Sequence, residues 1–479
     1  MSVHAWARAL LVVGALFSSV PGFASHARGG EIYYTPVPGT ANTYHITVRK
    51  YAVPPSPVVV EYGPDMELVC GQGGCSSTSA GSFVAKLLLT SSTRVLAPDC
   101  TAGSAIQVLV YEGDVELPPA RWTLSMGDVN RTFGLLNLEN SGNQSQYVES
   151  FLDNSSGLRN SSPQFIESRV PLLLGNQRQL YSFSAFDADG DSLVYQLVQP
   201  LQGGWQIAGS GIAPCAQPTV GFTPSHFQLN EVTGEAQTIP FTLAVGAFVM
   251  AVRVQEYRRL NASWTLIGSI TRDLAYFARA SSNSTPSFTS LQVGTVGQPF
   301  DKAIEVIPGQ TIAVLLDATD ADADQILTFS SAATTIVPGV ALQPVSATQA
   351  RLTWQVPADL PSGRYYLPVT VTDNGCPLFG SESRSVAFLV TARRVLSTGP
   401  TQPAAALFAV PTPFREQVEF RLRQPGTQPV TVWDALGRVV AQLVSTPDGR
   451  VVWRPENHLV AGMYLARTAD GQQVRLLRE

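Results

Sequence analysis

Asn160-Ser-Ser-Pro-Gln-Phe165 returns as Asn283-Ser-Thr-Pro-Ser-Phe288, and each copy is followed by an alternating acidic triplet. The triplets are Asp187-Ala-Asp-Gly-Asp191 and Asp320-Ala-Asp-Ala-Asp324, so Asp187, Asp189 and Asp191 answer to Asp320, Asp322 and Asp324. Each unit also closes alike. Val252-Arg-Val-Gln-Glu-Tyr257 leads into the apolar run Leu274 to Ala280, and Val369-Thr-Val-Thr-Asp-Asn374 leads into Val386 to Thr391. Repetition at this period marks a duplicated structural unit. The units, 160–282 and 283–394, are each close to the roughly 100 residues of an immunoglobulin-like sandwich. The reading is two tandem β-sandwiches, the first enlarged by a Gly-rich insertion around Leu201 to Gly211.

The rest of the chain carries the same period. Tyr44-His-Ile-Thr-Val48, Ala105-Ile-Gln-Val-Leu-Val-Tyr111 and Val430-Thr-Val-Trp433 alternate and are rich in β-branched and aromatic residues, the pattern of half-buried strands. Turn signals such as Asp448-Gly449, Asn374-Gly375 and Pro361-Ser-Gly363 punctuate them, and no sustained helical stripe with caps occurs. The expected fold class is all-β. Residues 25–159 form a β-rich opening module, 395–407 a Pro- and Ala-containing linker, and 408–479 a small terminal domain.

The 479 residues are 44% hydrophobic but only 14% charged, against about 25% charge in a typical soluble domain. A net charge of -5 gives no electrostatic footprint for a phosphate backbone, so nucleic acid is excluded as a partner class. Arg8, the apolar run Ala9 to Val20, Pro21-Gly22 and Ala24 spell a signal peptide over 1–24, removed near Ala24. Its apolar run and the one from Phe241 to Val252 are each about twelve residues, short of the roughly 20 that a membrane helix needs. No membrane-spanning segment is expected in the mature chain.

The five cysteines fit an oxidising compartment. Cys70, Cys75 and Cys100 cluster, so the expectation is one local bridge among them, its pairing left open, with Cys215 and Cys376 as unpaired buried thiols. The five scattered histidines and the absence of CxxC or HExxH spacing exclude a zinc site.

Several stretches resemble known families. Residues 408–479 resemble the type A C-terminal sorting domain of type IX secretion substrates. The resemblance rests on Pro411-Thr-Pro-Phe414, Val418-Glu-Phe420, Val430-Thr-Val-Trp-Asp-Ala-Leu-Gly-Arg-Val439, Leu459-Val-Ala-Gly-Met-Tyr464 and Gly471-Gln-Gln-Val-Arg-Leu-Leu477. It departs from that family in its Arg-Glu ending. The resemblance implies a sandwich read as an address by the type IX machinery, then cleaved off or used to attach the passenger to the surface. His26-Ala-Arg-Gly-Gly-Glu-Ile-Tyr33, Asn42-Thr-Tyr-His-Ile-Thr47 and Tyr111-Glu-Gly-Asp-Val-Glu-Leu-Pro118 resemble the opening module of large secreted gliding-associated proteins. The repeats resemble PKD and cadherin-like sandwiches, the second through Leu352-Thr-Trp-Gln-Val-Pro357 and Gly363-Arg-Tyr365, an analogy at the level of fold.

Ca²⁺ takes six to eight hard oxygen ligands, and a tight loop of alternate carboxylates supplies several. An EF-hand is excluded, because its glycine position falls on Ser192 or Gln325 and its last glutamate on Val198 or Ser331. The cadherin-like resemblance implies another set, in which each triplet is joined by an acidic residue at the end of a later strand, Glu256 in the first repeat and Asp373 in the second. The competing reading is of solvated Asx turns. Asp191-Ser-Leu193 resembles a short bacterial O-glycosylation motif. The sequons at Asn130, Asn143, Asn154, Asn160, Asn261 and Asn283 are read as polar loops.

Tyr33, Tyr34, Tyr44, Tyr51 and Trp122, with Trp205 in the insertion, are candidates for a carbohydrate platform, while Trp354 and Trp433 read as core. No nucleophile elbow, Cys–His pair or P-loop occurs. Glu112 with Asp128 or Glu116 is the candidate carboxylate pair of a hydrolase. The function expected is that of a non-enzymatic adhesion or structural protein, secreted or displayed on the outer cell surface, meeting a glycan or another surface protein. The alternative is a glycan-binding protein or a hydrolase with its site in the opening module.

Overall fold

Strict alternation sets the strands. Along Ala105–Glu116 every second residue from Ala105 to Tyr111 is buried, and the intervening ones are half-exposed, as a period of two dictates when one sheet face meets a core. The computed structural model describes residues 27–54, 62–72, 81–96, 100, 105–128, 130–175, 177–203, 216–238, 245–391, 409–422, 426–435, 437–456, 458–468 and 472–479. The expected signal peptide and linker, Cys75, Trp205 and Cys215 lie outside them. The chain is nearly all β, with immunoglobulin-like sandwiches in tandem after an opening module that closes into a barrel, and has two short helical turns, Ser141–Asn143 and Ala333–Ile336, among the described residues. It divides into two compact units, Met1–Arg393 and Arg394–Glu479.

In the first unit, β1 (Ala27–Pro36), β2 (Thr43–Ala52), β3 (Asp65–Gln72), β4 (Phe83–Leu96), β5 (Ala105–Glu116), β6 (Arg121–Asp128) and β7 (Gln146–Asp153) pair in the order β1-β2-β5-β4-β3-β6-β7. The series closes through a strand of the first repeat. Ser263–Arg279 pairs with β1 at Leu274↔Gly29 and with β7 at Ile270↔Ser150. An eight-stranded closure leaves an interior just wide enough for side chains, and Tyr34, Ile46, Leu68, Leu109, Trp122 and Leu124 fill it.

Gly29 is required at this seam, and Gly30 leaves room there for the end of the Met126 side chain. A Cβ on Gly29 would lie 2.6 Å from the Asp273 carbonyl oxygen, and one on Gly30 would lie 2.0 Å from Met126 Cε. Charged groups pin the same register. Arg131 grips Asp273 through two hydrogen bonds of 2.8 and 2.7 Å, and Arg272 pairs with Glu31, which also receives Arg49 at 2.8 Å and the Tyr51 hydroxyl at 3.0 Å. Burial pushes the Glu31 carboxyl up, but the Arg272 and Arg49 guanidiniums outweigh it and hold it below the usual range.

The closing strand forms a long hairpin with Gly246–Leu260, and Asn261 and Ala262 both turn at positive φ, 48° and 68°, as the tightest hairpin turn demands. Its other side packs, with Ser192–Val198, on the sheet of Leu180–Ser182, Glu235–Thr238 and Phe227–Leu229. Phe165, Phe183, Tyr195, Val254 and Tyr276 fill that core. One hairpin therefore serves the barrel and the first-repeat sandwich together.

The second repeat is a five-stranded sheet on a four-stranded one, closed over Leu316, Trp354, Leu367, Val371 and Phe388. The second unit sets a three-stranded against a four-stranded sheet, with Phe414, Val432, Trp453, Tyr464 and Leu476 between them. Both share one device. Tyr365 Oη donates to Pro361 O at 2.9 Å and Tyr464 Oη to Val460 O at 2.6 Å, a tyrosine bonded back to the chain four residues upstream as in immunoglobulin-like corners.

The cysteine expectation is corrected. Cys100 is bonded to Cys376 across 276 residues of sequence, and among the described residues Cys70 is a buried free thiol. Sequence proximity misled here because the chain after β4 meets the turn after Gly363–Thr372, where Cys100 N donates to Pro377 O at 3.0 Å. Burial pushes the Cys70 thiol up to about 12. No helix among the described residues is long and apolar enough to cross a membrane.

Candidate metal centre

Asp187, Asp191 and Glu256 come together although 69 positions separate the first from the last. Each offers one oxygen, and these atoms lie within 4.8 Å of one another; all three residues are buried. Asp187-Ala-Asp-Gly-Asp191 makes the turn before Ser192–Val198, with Gly190 at φ +77°, a left-handed conformation that glycine adopts without steric cost. Glu256 enters from the Gly246–Leu260 strand, where a bulge after Glu256 shifts the register. Gly268 on the neighbouring strand leaves it room, since a Cβ there would lie 2.4 Å from Glu256 Oε2 and 2.5 Å from Tyr34 Oη.

Three groups bind the cluster together. Asn160 Nδ2 donates to Glu256 Oε2 at 2.7 Å. Arg258 donates to both Asp191 oxygens at 2.8 and 2.5 Å, to Asp189 Oδ2 at 3.1 Å and to Asn160 Oδ1 at 2.7 Å. The backbone N–H groups of Ser161 and Asp191 donate to Asp189 Oδ2 at 2.8 Å and Asp187 Oδ1 at 3.1 Å. Two oxygens remain. Asp187 Oδ2 and Glu256 Oε1 are buried with no hydrogen-bond partner.

Electrostatics sharpens that observation. Burial, with Asp191 and Asp189 nearby, pushes the Asp187 carboxyl up to about 6. Burial, with Asp187 and Asp191 beside it, pushes Glu256 well above the usual carboxylate range. Four carboxylates face one guanidinium, and an unpaired buried charge costs several kcal/mol. The cluster therefore calls for a proton or a cation, and its all-oxygen donors suit a hard divalent ion.

The second repeat repeats the frame. Asn283 Nδ2 donates to both Asp373 oxygens at 3.1 and 3.0 Å, and Ser284 N donates to Asp322 Oδ2 at 2.8 Å. Asp373 also accepts from the N–H groups of Gly375 and Gly380, both at 2.8 Å. Asp320 Oδ1 accepts from Asp322 N at 2.9 Å, its Oδ2 is buried without a partner, and Asp324 is exposed. Among the described residues these carboxylates form no convergent three-oxygen group.

Of the eight acids named from the sequence, the structure brings Asp187, Asp191 and Glu256 together and leaves Asp320, Asp322, Asp324 and Asp373 unconverged; Arg258, Asn160 and Gly268 were missed. A signal for Arg258 existed, because it stands two residues after Glu256 and a strand places such residues on one face. Asn160 and Asn283, read as loop sequons, are buried amides inside the two clusters. The carbohydrate platform is also corrected. Tyr33, Tyr34, Tyr44, Tyr51 and Trp122 are at most 5% exposed, their apolar rings consumed by the cores. Glu112 accepts from Thr47 at 3.3 Å, while Asp128 pairs with Lys50 at 2.9 Å.

The first cluster stands where the repeats meet. A Cβ on Gly190 would lie 2.8 Å from Pro361 Cβ, and the rings of Phe186 and Tyr365 are 5.8 Å apart. Beside them, Ser385 Oγ lies 2.9 Å from Ser182 Oγ and 3.0 Å from Ser184 Oγ, and Ser385 N donates to Glu235 at 2.6 Å.

No family model matches the sequence, and no curated protein is significantly similar to it. Among solved structures, the N-terminal eight immunoglobulin domains of Down syndrome cell adhesion molecule align over 93% of this chain and 49% of theirs, at 8% identity and TM-score 0.17. The protocadherin GammaB4 extracellular domain aligns over 82% of this chain and 61% of its own, at 14% identity and TM-score 0.17. Human protocadherin-24 EC1-2 aligns over 49% of this chain and 98% of its own, at 14% identity and TM-score 0.17. The chain thus spans about half of the first and three-fifths of the second.

Proposed function

We propose that this is a non-enzymatic adhesion or structural protein, secreted or held on the outer cell surface, with a Ca²⁺-stiffened junction between its two repeats. The observation that carries the calcium reading is the pair of buried, partnerless oxygens, Asp187 Oδ2 and Glu256 Oε1, beside the turn that meets Pro361 and Tyr365. Asp187, Asp191 and Glu256 would hold the ion. When bound it supplies charge neutralisation, while Asn160 and Arg258 orient the carboxylates. A fixed junction between the two repeats suits a scaffold that presents its loops to a glycan or another surface protein.

Export is the second part of the proposal. The Cys100–Cys376 disulfide agrees with an oxidising compartment, and residues 408–479 are read as the address for the type IX machinery. The Arg394–Glu479 unit has a core of its own, as a separable address requires.

A thermal melt of the full mature chain in chelator and then in millimolar Ca²⁺ tests the metal. Saturation at about 100 times Kd adds about 2.7 kcal/mol, a rise of about 3 °C for a unit of this size, which Glu256→Gln removes. An unchanged melting temperature overturns the calcium reading. Deleting residues 408–479 should trap the passenger inside a type IX-competent host, and undiminished release would refute the address.

A further inference from the structure

A cavity of 420 Å³ opens in the first unit where the barrel, the first repeat and the second repeat meet. Its volume falls within the roughly 300–1,000 Å³ typical of small-molecule sites. Val95, Ile106 and Val108 come from the barrel, Leu172 and Phe277 from the first repeat and Leu378 from the second. The wall is mostly apolar, yet it also carries four arginines, Arg28, Arg94, Arg169 and Arg279, and no Asp or Glu among the described residues.

Arg169 has a partner in Glu167 at 2.9 Å. Among the described residues, no carboxylate lies within ion-pair distance of Arg28, Arg94 or Arg279. Arg28 and Arg279 instead stand over one ring, 5.2 and 5.6 Å from the Phe277 centroid. Burial, and Arg279 beside it, lower the Arg28 pKa, while Tyr62 partly offsets this. Two like charges over one apolar ring are a costly arrangement without an anion. Three polar atoms of the wall, Arg28 Nε, Tyr181 Oη and Thr372 Oγ1, are buried with no hydrogen-bond partner. Buried polar groups are almost always satisfied, so a cavity with three idle ones suits a ligand that brings hydrogen-bonding groups of its own.

We propose that this cavity binds an amphipathic monoanion of the fatty-acid type, its carboxylate held by Arg28 and Arg279 and its hydrocarbon body lying along Phe277, Leu172, Val108 and Ile106. A carboxylate matches the planar fork of a guanidinium. An acyl chain of ten to sixteen carbons matches the apolar wall and the volume in a way that a sugar, with polar groups on every side, does not. The site is independent of the acidic loop and of the adhesive reading.

Isothermal titration calorimetry on the full mature chain tests this with three probes: dodecanoate below its micelle concentration, methyl dodecanoate and acetate. Dodecanoate should saturate one site per chain. The neutral ester should bind at least tenfold more weakly, and acetate should give no heat. Arg279→Gln should weaken dodecanoate about tenfold and leave the ester unchanged. Failure of dodecanoate to bind, binding without saturation at one site, or equal affinity for acid and ester would each overturn the proposal. The probe series on the unmodified protein decides the question even if the variant does not fold.

Discussion

Arg258 in the first repeat and Gln325 in the second make the same pair of hydrogen bonds. Arg258 Nη2 donates to Asn160 Oδ1 at 2.7 Å and Asp189 Oδ2 at 3.1 Å, and Gln325 Nε2 donates to Asn283 Oδ1 at 2.5 Å and Asp322 Oδ2 at 3.2 Å. They reach these places from different elements, Arg258 from a strand late in its repeat and Gln325 from the position after the triplet. The difference is charge. The first repeat answers its acidic loop with a fixed cation, the second with a neutral amide, and the second keeps fewer carboxylates converged.

Arg258→Met should therefore cost the first repeat about 2–3 kcal/mol, at the lower end of what removing one partner of a buried ion pair costs, because the Arg258 side chain keeps 22% exposure. On the calcium proposal the loss narrows in millimolar Ca²⁺, since a divalent ion then neutralises Asp191 in place of the guanidinium. Chemical denaturation of both proteins, with chelator and with Ca²⁺, measures it. A loss that Ca²⁺ leaves untouched counts against ion binding at this loop.

The legibility of the molecule follows from which interactions are local. Alternation along Ala105–Tyr111 and the turn signals are local, so the all-β class and the second sandwich were readable. The repeat exposed the two Asp triplets because two copies show which residues travel as a set, whereas the joining of Glu256 to Asp187 and Asp191 was implied only by the cadherin-like resemblance. Barrel closure was not readable, since nothing within Ser263–Arg279 says that its partners are β1 and β7, and periodicity gives a strand's faces but not its neighbours. The Cys100–Cys376 bond and the arginine-lined cavity were hidden for the same reason.

Loss of the disulfide should be expensive. Cys100 and Cys376 enclose most of the first unit from β5 onward, at a separation of 276 residues, and in the chain-entropy account a closed loop of that length is worth about 6 kcal/mol. Replacing both cysteines by serine should lower the melting temperature by several degrees, whereas Cys70→Ser should reveal only a local packing cost. Native Cys70 should also resist alkylation until the chain is unfolded, because its thiol is buried and pushed up to about 12. Mass mapping before and after denaturation checks both points.

The seam between the repeats carries a pH dependence. Burial pushes Glu382 up to about 7, against the opposing pull of Arg384 and with help from Glu235. A folded-state value above the unfolded one of about 4.3 means that its contribution is fully present below pH 4 and is lost as pH rises through 7. The change amounts to about 4 kcal/mol. Glu382→Gln should remove this part of the slope, so the wild-type and variant denaturation midpoints should diverge steadily from pH 4 to pH 7. Parallel midpoints across that window would show that Glu382 does not carry it.

Gly29 offers the most direct test of barrel closure. Its absent Cβ lets β1 approach Ser263–Arg279 so closely that an added methyl would lie 2.6 Å from the Asp273 carbonyl and 3.0 Å from Leu274 Cα. Both are backbone atoms, so no side chain can swing aside. The same two strands carry the Arg272–Glu31 pair and, on Asp273, the Arg131 bonds, so parting them loosens buried charges as well as the ladder. Gly29→Ala should therefore cost more than the 1–3 kcal/mol typical of overpacking. Hydrogen exchange should quicken along β1, β7 and Ser263–Arg279 while the second repeat, whose sheets share no strand with the barrel, stays protected. If exchange quickens evenly across the barrel and the second repeat, Gly29 does not act through closure of the barrel.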